Sequence, residues 1–365
     1  MGSATAYHLA MRGHRVLGLD RWAPGHVFGS SHGDSRIIRE AYFEHPMYVP
    51  ILRRAYELWR ELEGRSGTSL LHEIGGLMIG PPNGEIVRGA LRSAQTFDIP
   101  VEVLTPSQVA RRFPAFRLQA HEVAVLDPRA GYLEPDACNR AHLDVARASG
   151  ASLRFDEAVV EWRADSHGVR VDTEQGSYFA DQLVLAVGAR LPRLVPDLPL
   201  TVERQLLFWL EHNPADARFD AAAFPIYLYE YSGGWCYGFP RLARGIKAAV
   251  MHRGETVGDA DHVRRTIDDA EVLPLRDALK TLLPELACGR VRESAVCLFT
   301  NTPDLHFIID IHPEHPNVVI SSACSGHGFK FASAIGEIQA DLATGRPPAF
   351  DLSLFRFDAN RVPAV

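Results

Sequence analysis

The chain has 365 residues, 46% apolar and 23% charged, with 38 Lys and Arg against 45 Asp and Glu for a net charge of −7. That length exceeds one ordinary core and predicts two intertwined domains. The acidic balance excludes the basic stripe of a nucleic-acid binder, and no apolar run approaches the roughly 18 residues of a membrane-spanning helix.

No charged-then-apolar leader opens the sequence, so no secretory signal is expected. The cysteines Cys138, Cys236, Cys288, Cys297 and Cys324 are scattered and odd in number. They suit a reducing compartment better than a disulfide framework, and a cytoplasmic, monomeric protein is expected.

Residues 2–11, GSATAYHLAM, read as a helix of small and apolar residues, with Gly13 placed for a left-handed C-cap. Residues 15–20 form a short apolar strand ending in Asp20. Helix, strand and terminal acid make the second half of a βαβ unit. Helical spacing follows over 48–63, then a short strand over 76–80. A helix over 106–113 opens behind Thr105, with Pro106 in its first turn. Another helix covers 134–149. Strands are predicted over 158–162 and 168–173, and a fully buried parallel strand over 182–189.

The middle of the chain is aromatic-rich. Strands over 202–211, 225–231, 235–239 and 245–251 predict an antiparallel sheet, the usual material of a substrate domain. Residues 259–284 read as mostly helical. Strands return over 291–299, 306–311 and 317–322, followed by the turn Ser325-Gly-His-Gly328 and a helix over 329–343.

Dinucleotide folds use a strand, a Gly-x-Gly-x-x-Gly turn, a helix and an acid about 20 residues on. The glycines admit backbone N–H groups to the pyrophosphate, and the helix N-terminus adds positive charge. Here Gly2 stands for the last glycine and Asp20 for the ribose-binding acid. The first strand and two glycines are missing, which predicts a polypeptide beginning about ten to fifteen residues upstream, one strand plus one turn. Taken alone, the segment reads more readily as a surface helix followed by a strand. Gly326-His-Gly328 is a second anion-nest candidate, equally readable as a capped loop.

Residues 29–39, GSSHGDSRIIR, resemble the monomeric sarcosine oxidase and N-methyltryptophan oxidase family, whose stretch runs G-S-x-H-G-D-T-R-I-I-R, often with a Tyr at the place of Tyr42. Residues 295–331, AVCLFTNTPDLHFIIDIHPEHPNVVISSACSGHGFKF, resemble a second family block without a gap. The resemblance implies an α/β (α+β) fold: a Rossmann-like FAD-binding domain over 1–80, 135–195 and 290–365, and an antiparallel-sheet substrate domain over 81–134 and 196–289.

It also implies site residues. Cys297 takes the position joined through sulfur to the flavin 8α carbon; read without the family, it is a buried strand cysteine. Lys330 and Arg39 match groups that hold the substrate carboxylate, for which a planar guanidinium is well suited. Arg36 matches an arginine near the flavin face, and Tyr237 an active-site tyrosine. Lys247 matches the lysine that helps reduced flavin react with oxygen, where a fixed cation stabilises developing superoxide; its bland reading is a solvated strand lysine. Further cofactor contacts are expected from His32, Val159, Gly326, His327, Gly328 and Phe329. The substrate pocket is expected to hold Tyr42, Leu228, Met251, Phe299 and Gly326. Met251 stands where the family often has His, Phe299 where sarcosine oxidase has Tyr, and Leu228 where it has Met. His252, one residue along a strand, points to the other face.

His306, His312, His315 and His327 suggest a metal cluster, but Pro313 disrupts the helical His spacing of zinc proteases, and no metal is expected. The expected activity is oxidation of the C–N bond of a small secondary amino acid, giving an imine, then amine and aldehyde, with molecular oxygen reduced to hydrogen peroxide. Two alternatives stand beside it: an oxidase or dehydrogenase of a primary or cyclic amino acid, and a flavoprotein fold that only binds.

Overall fold

The computed structural model describes residues 1–358; the last residues of the expected 290–365 segment, 359–365, lie outside them. The first helix, Gly2–Met11, buries Ala4, Ala6 and Ala10. Its small side chains let it lie against the helices Pro135–Ala148 and Ala332–Ala343. The approach is closest at Gly336, where an added Cβ would stand 2.5 Å from Cβ of Ala4. Arg12 donates to Asp341 at 2.8 Å, and the Thr5 hydroxyl donates to Gln339. Gly13 closes the helix at φ +81°.

The nucleotide-type sheet comes in pieces. Leu17–Leu19 pairs in parallel with Ser152–Arg154. Leu183–Leu185 pairs in parallel with Val318–Ser322, which pairs antiparallel with Ile308–Ile311. Val159–Asp165, Gly168–Thr173 and Ser177–Ala180 form an antiparallel meander. Arg36–Ile38, Gly131–Leu133 and Leu71–Glu73 make another three-stranded sheet.

The remaining sheet has nine strands. Thr201–Leu210 sits inside it, paired along its length with Val291–Asn301 and on its other edge with Gly245–Met251 and Glu255–Val257. Its aromatic and branched residues pack against Leu273–Leu282, burying Leu275, Leu279 and Leu282. Every pairing in this sheet is antiparallel except Gly76–Gly80 on Ile226–Tyr231.

Gly76–Gly80 and Val291–Asn301 are strands of the large sheet, hydrogen-bonded along their edges there. Several expectations are corrected. The strand expected over 182–189 is ordered only at Leu183–Leu185, and Leu183 and Val184 are half-buried because they face a cavity. Residues 258–268 are loop rather than helix. Asp259 caps the backbone of Asp261, and Arg264 bonds Glu271, so side chains satisfy what a helix would have satisfied. Helical structure begins only at Asp269, behind a capping box from Asp268. The helix Glu85–Phe97 was not expected; Ile86, Val87, Ala90 and Ala94 are its buried stripe.

Candidate active site

A cavity of about 1220 Å³ runs between the sheet fragments and the large sheet. Most of the expected site residues line it: Gly2, Asp20, Arg36, Arg39, Val159, Leu228, Tyr237, Met251, Cys297, Phe299, Gly326, His327, Gly328, Phe329 and Lys330. Three do not. Tyr42, His32 and Lys247 are buried behind its wall.

One end is built by the first strand and its surroundings. Asp20 closes Leu17–Leu19; burial raises its carboxyl pKa, against a bond from the Trp22 amide. The Met1 amine lies at this end, and burial lowers its pKa to about 6. Trp22 carries the Arg190 guanidinium 4.0 Å from its ring centre.

The other end is charged. Arg39 is 1% exposed, and its Nη2 donates to both carboxylate oxygens of Glu44, at 2.9 and 2.7 Å. Its Nε and Nη1 are buried without a hydrogen-bond partner, an arrangement suited to an incoming carboxylate. The Lys330 ammonium donates to His327 O at 2.6 Å. Burial first, and the Arg39 charge second, lower its pKa to about 7, while Glu44 pulls the other way. Burial is the largest influence and pushes Glu44 up, but Arg39, His327, Lys330 and a backbone hydrogen bond together outweigh it and leave the carboxyl below its ordinary value. His327 is fixed as a neutral ring. Its Nε2 faces Leu305 O at 2.9 Å and must donate, so Nδ1 accepts from the Tyr42 hydroxyl at 2.5 Å. Burial depresses its pKa to about 3.

Between the ends lies a sulfur and a second guanidinium. Arg36 Nη2 donates to Ser30 O at 2.8 Å and lies 3.7 Å from Cys297 Sγ. Burial raises the Cys297 thiol pKa, and Arg36 opposes that. Facing them are Leu228, Met251 and Phe299, with Tyr237 the phenol among them; burial raises its pKa to about 12. His252 lies behind the Phe299 ring, centroids 5.5 Å apart, and does not line the cavity. Phe299 leans over Gly326, where an added Cβ would come within 2.7 Å of its ring.

The walled-off groups support the lining. Lys247 donates to Gly33 O and Ser35 O, both at 2.6 Å, and to Ser35 Oγ at 3.2 Å. Burial, then the Arg36 charge, hold its pKa well below the ordinary lysine value. His32 is 3% exposed with Nε2 unpartnered, and burial lowers its pKa to about 3.

The residues fit a dinucleotide. Gly328 meets the backbone so closely that a Cβ would lie 1.9 Å from Ala323 O. The acid at the strand end, Asp20, lines the cavity as an acceptor for the ribose hydroxyls of such a group.

Sequence reasoning missed Glu44, the most consequential of the charged lining residues. An acid five positions after Arg39 in the same loop was the available signal. His306, His312 and His315 do not form a metal-ligand group with His327. Among the described residues the one group of metal-type donors is His212, Asp216 and Glu285, where Arg218 bonds both carboxylates.

Residues 1–342 match the family model for the FAD-dependent oxidoreductases. Monomeric sarcosine oxidase of Streptomyces avermitilis is 42% identical over 372 residues, covering 100% of this chain and 96% of that protein. N-methyl-L-tryptophan oxidase of Yersinia pestis is 34% identical over 361 residues, covering 97% and 95%. Among solved structures, NikD, an unusual amino acid oxidase essential for nikkomycin biosynthesis, superimposes with a TM-score of 0.84 at 26% identity, covering 100% and 96%. Glycine oxidase of Geobacillus kaustophilus, at 21% identity and a TM-score of 0.82, shares the fold.

Proposed function

The chain belongs to the FAD-dependent oxidoreductase family, and from that premise we propose that it oxidises the C–N bond of an N-methyl or other secondary amino acid. The observation that carries this reading is the Arg39–Lys330 pair at one end of a cavity whose middle holds Arg36 and Cys297.

Arg39 and Lys330 bind the substrate carboxylate, the guanidinium through the buried Nε and Nη1 that have no partner. That places the N-alkyl group toward Cys297 and Arg36, beside Leu228, Met251 and Phe299. The apolar walls desolvate the ammonium and lower its pKa, favouring the neutral amine that gives up electrons. FAD, when bound, would supply the two-electron acceptor and the route to oxygen that yields hydrogen peroxide. Asp20, Val159 and the turn 326–328 would hold its nucleotide part, and Arg36 and Cys297 would hold its ring. Lys247 acts in the step where oxygen is reduced, from its buried position near Arg36. Cys297 is the site of a thioether to the flavin, and the protein works as a monomer.

The test is a peroxide assay with N-methyl amino acids, compared with proline, pipecolate and glycine. A flavin band that bleaches on adding the amine and returns in air is expected. A band that no amine bleaches would make the protein a binding module; activity confined to glycine or proline would move it to the alternative substrate class. For the thioether, acid-precipitated protein should stay yellow and Cys297→Ser should release its flavin. Full release from the unaltered protein would show that no link forms.

A further inference from the structure

The loop 33–35 is held by two neighbouring side chains of the large sheet. The Lys247 ammonium places three hydrogen bonds on it, to Gly33 O, Ser35 O and Ser35 Oγ. Beside it on the same face stands Trp209, fully buried, directly across the strand pair from Lys247 and with its ring centre 5.7 Å from the ammonium. Its indole N–H donates to Asp34 Oδ2 at 3.1 Å. The other Asp34 oxygen accepts from Arg244 Nη1 at 3.0 Å, and the Arg244 guanidinium lies 3.9 Å from the centre of the Trp209 ring. Glu293, which opposes Trp209 on the next strand, anchors Arg244 from behind.

The backbone of this loop needs such support. Gly33 has φ +92° and Asp34 φ +64°, left-handed conformations that a non-glycine residue holds only when its surroundings fix it. The Asp34 carboxylate, bonded twice, is what fixes it. The loop has no slack, because a Cβ on Gly33 would stand 3.1 Å from Leu207 and 3.4 Å from Trp209.

We propose that Asp34, Trp209 and Arg244 form a clamp that positions Lys247, and that they set how fast reduced cofactor reacts with oxygen rather than how fast substrate reduces it. The proposal rests on the oxygen-reacting role assigned to Lys247 above. If the loop drifts, the two carbonyls drift with it, and the ammonium loses the geometry that aims it. Of the three bonds, the one to Ser35 Oγ is longest, and it is the one an oxygen species or a water displaces. The substrate-holding groups Arg39 and Lys330 hydrogen-bond neither the loop nor the clamp, so the reductive half of the cycle is spared.

The test uses the FAD-loaded protein with Trp209→Phe, Asp34→Asn and the double variant. The flavin is reduced photochemically, so no amino acid is needed, and mixed with oxygen in a stopped-flow instrument. Each single variant should reoxidise about tenfold more slowly, the scale of one charge-assisted hydrogen bond. The double variant should be no slower than the slower single, because both remove the same bond. Reduction by an N-methyl amino acid should stay within about twofold, well under one hydrogen bond's worth. A second readout needs no flavin: hydrogen exchange at the amides of residues 33–36 should quicken in both single variants and stay unchanged elsewhere. Parent-like reoxidation and exchange would overturn the proposal, and so would equal slowing of both half-reactions. A protein that takes up no FAD would instead defeat the functional reading, while the exchange measurement still decides the clamp.

Discussion

Arg39 meets a carboxylate in the structure already, that of Glu44, at 2.7 Å. Under the proposed function, substrate binding at this arginine would be an exchange or a sharing between two carboxylates. Removing the arginine leaves both anions with Lys330 as their remaining buried cation. Arg39→Ala should weaken a small carboxylate inhibitor by roughly 2–5 kcal/mol, the cost of truncating a buried charge pair. Glu44→Gln should act in the opposite direction, tightening the same inhibitor, because a like charge leaves the site while the hydrogen-bonding shape stays. Titration calorimetry on both variants checks the pair, and unchanged affinity in Arg39→Ala would place the carboxylate elsewhere. Lys330 adds a pH dependence. Its pKa is lowered to about 7 by burial and then by Arg39, so it is charged below that pH and loses its proton as pH rises through it. An inhibitor that carries a carboxylate and no amine should bind well below pH 7 and progressively less above it. The bound anion itself raises the Lys330 pKa and moves the midpoint upward. In Lys330→Met this part of the pH dependence should vanish; if it persists, another group is responsible.

The contact between the first helix and Ala332–Ala343 shows how far the elements were legible. A small-residue helix followed by a strand ending in Asp20 was read from local spacing, and the helix Gly2–Met11 has those limits. Gly245–Met251 and Gly168–Thr173 were similarly legible, since alternation and turn residues lie within the segment itself. Partnership was not legible. Nothing local in Gly76–Gly80 says that it lies parallel to Ile226–Tyr231, because that is settled by burial on both faces across a long sequence separation. The same limit hid Glu44 and the Trp209–Asp34 bond, each a side chain whose meaning depends on what the fold brings to it. Arg39, Lys330 and Cys297 were named only through the family resemblance. Gly336 was hidden for the same reason: its role is set by Ala4, which an added Cβ would meet at 2.5 Å with the Ala4 carbonyl carbon at 2.6 Å. Neither is the end of a flexible side chain, so the helices must separate. Gly336→Ala should then cost roughly 1–3 kcal/mol despite its better helix propensity, as overpacking does. A denaturant midpoint equal to that of the unaltered protein would show that the two helices part without penalty.

At the scale of the whole molecule, the parallel strands outside the large sheet fall into two groups that face one cavity. Leu17–Leu19 with Ser152–Arg154 lines it on one side, and Leu183–Leu185 with Val318–Ser322 on the other. Among the described residues no strand joins the two groups into one sheet. What connects them is the packing of Gly2–Met11 against Pro135–Ala148 and Ala332–Ala343. A ligand filling the cavity touches both groups at once and so adds contacts that neither makes alone. Binding to the folded state only, at a hundred times its dissociation constant, stabilises by about 2.7 kcal/mol. For a chain somewhat larger than those that gain about 2–4 °C per kcal/mol, FAD should raise the melting temperature by about 5 °C. The gain should sit where the groups face each other. Amide exchange over 17–19 and 183–185 should slow on FAD addition more than exchange over the large sheet, because those strands belong to sheets of two and three strands and the large sheet has nine. Melting and exchange followed with and without saturating FAD decide the matter. A raised melting temperature with slowed exchange at one edge only would mean that the cofactor grips one group only, and an unmoved melting temperature would mean that it bridges nothing.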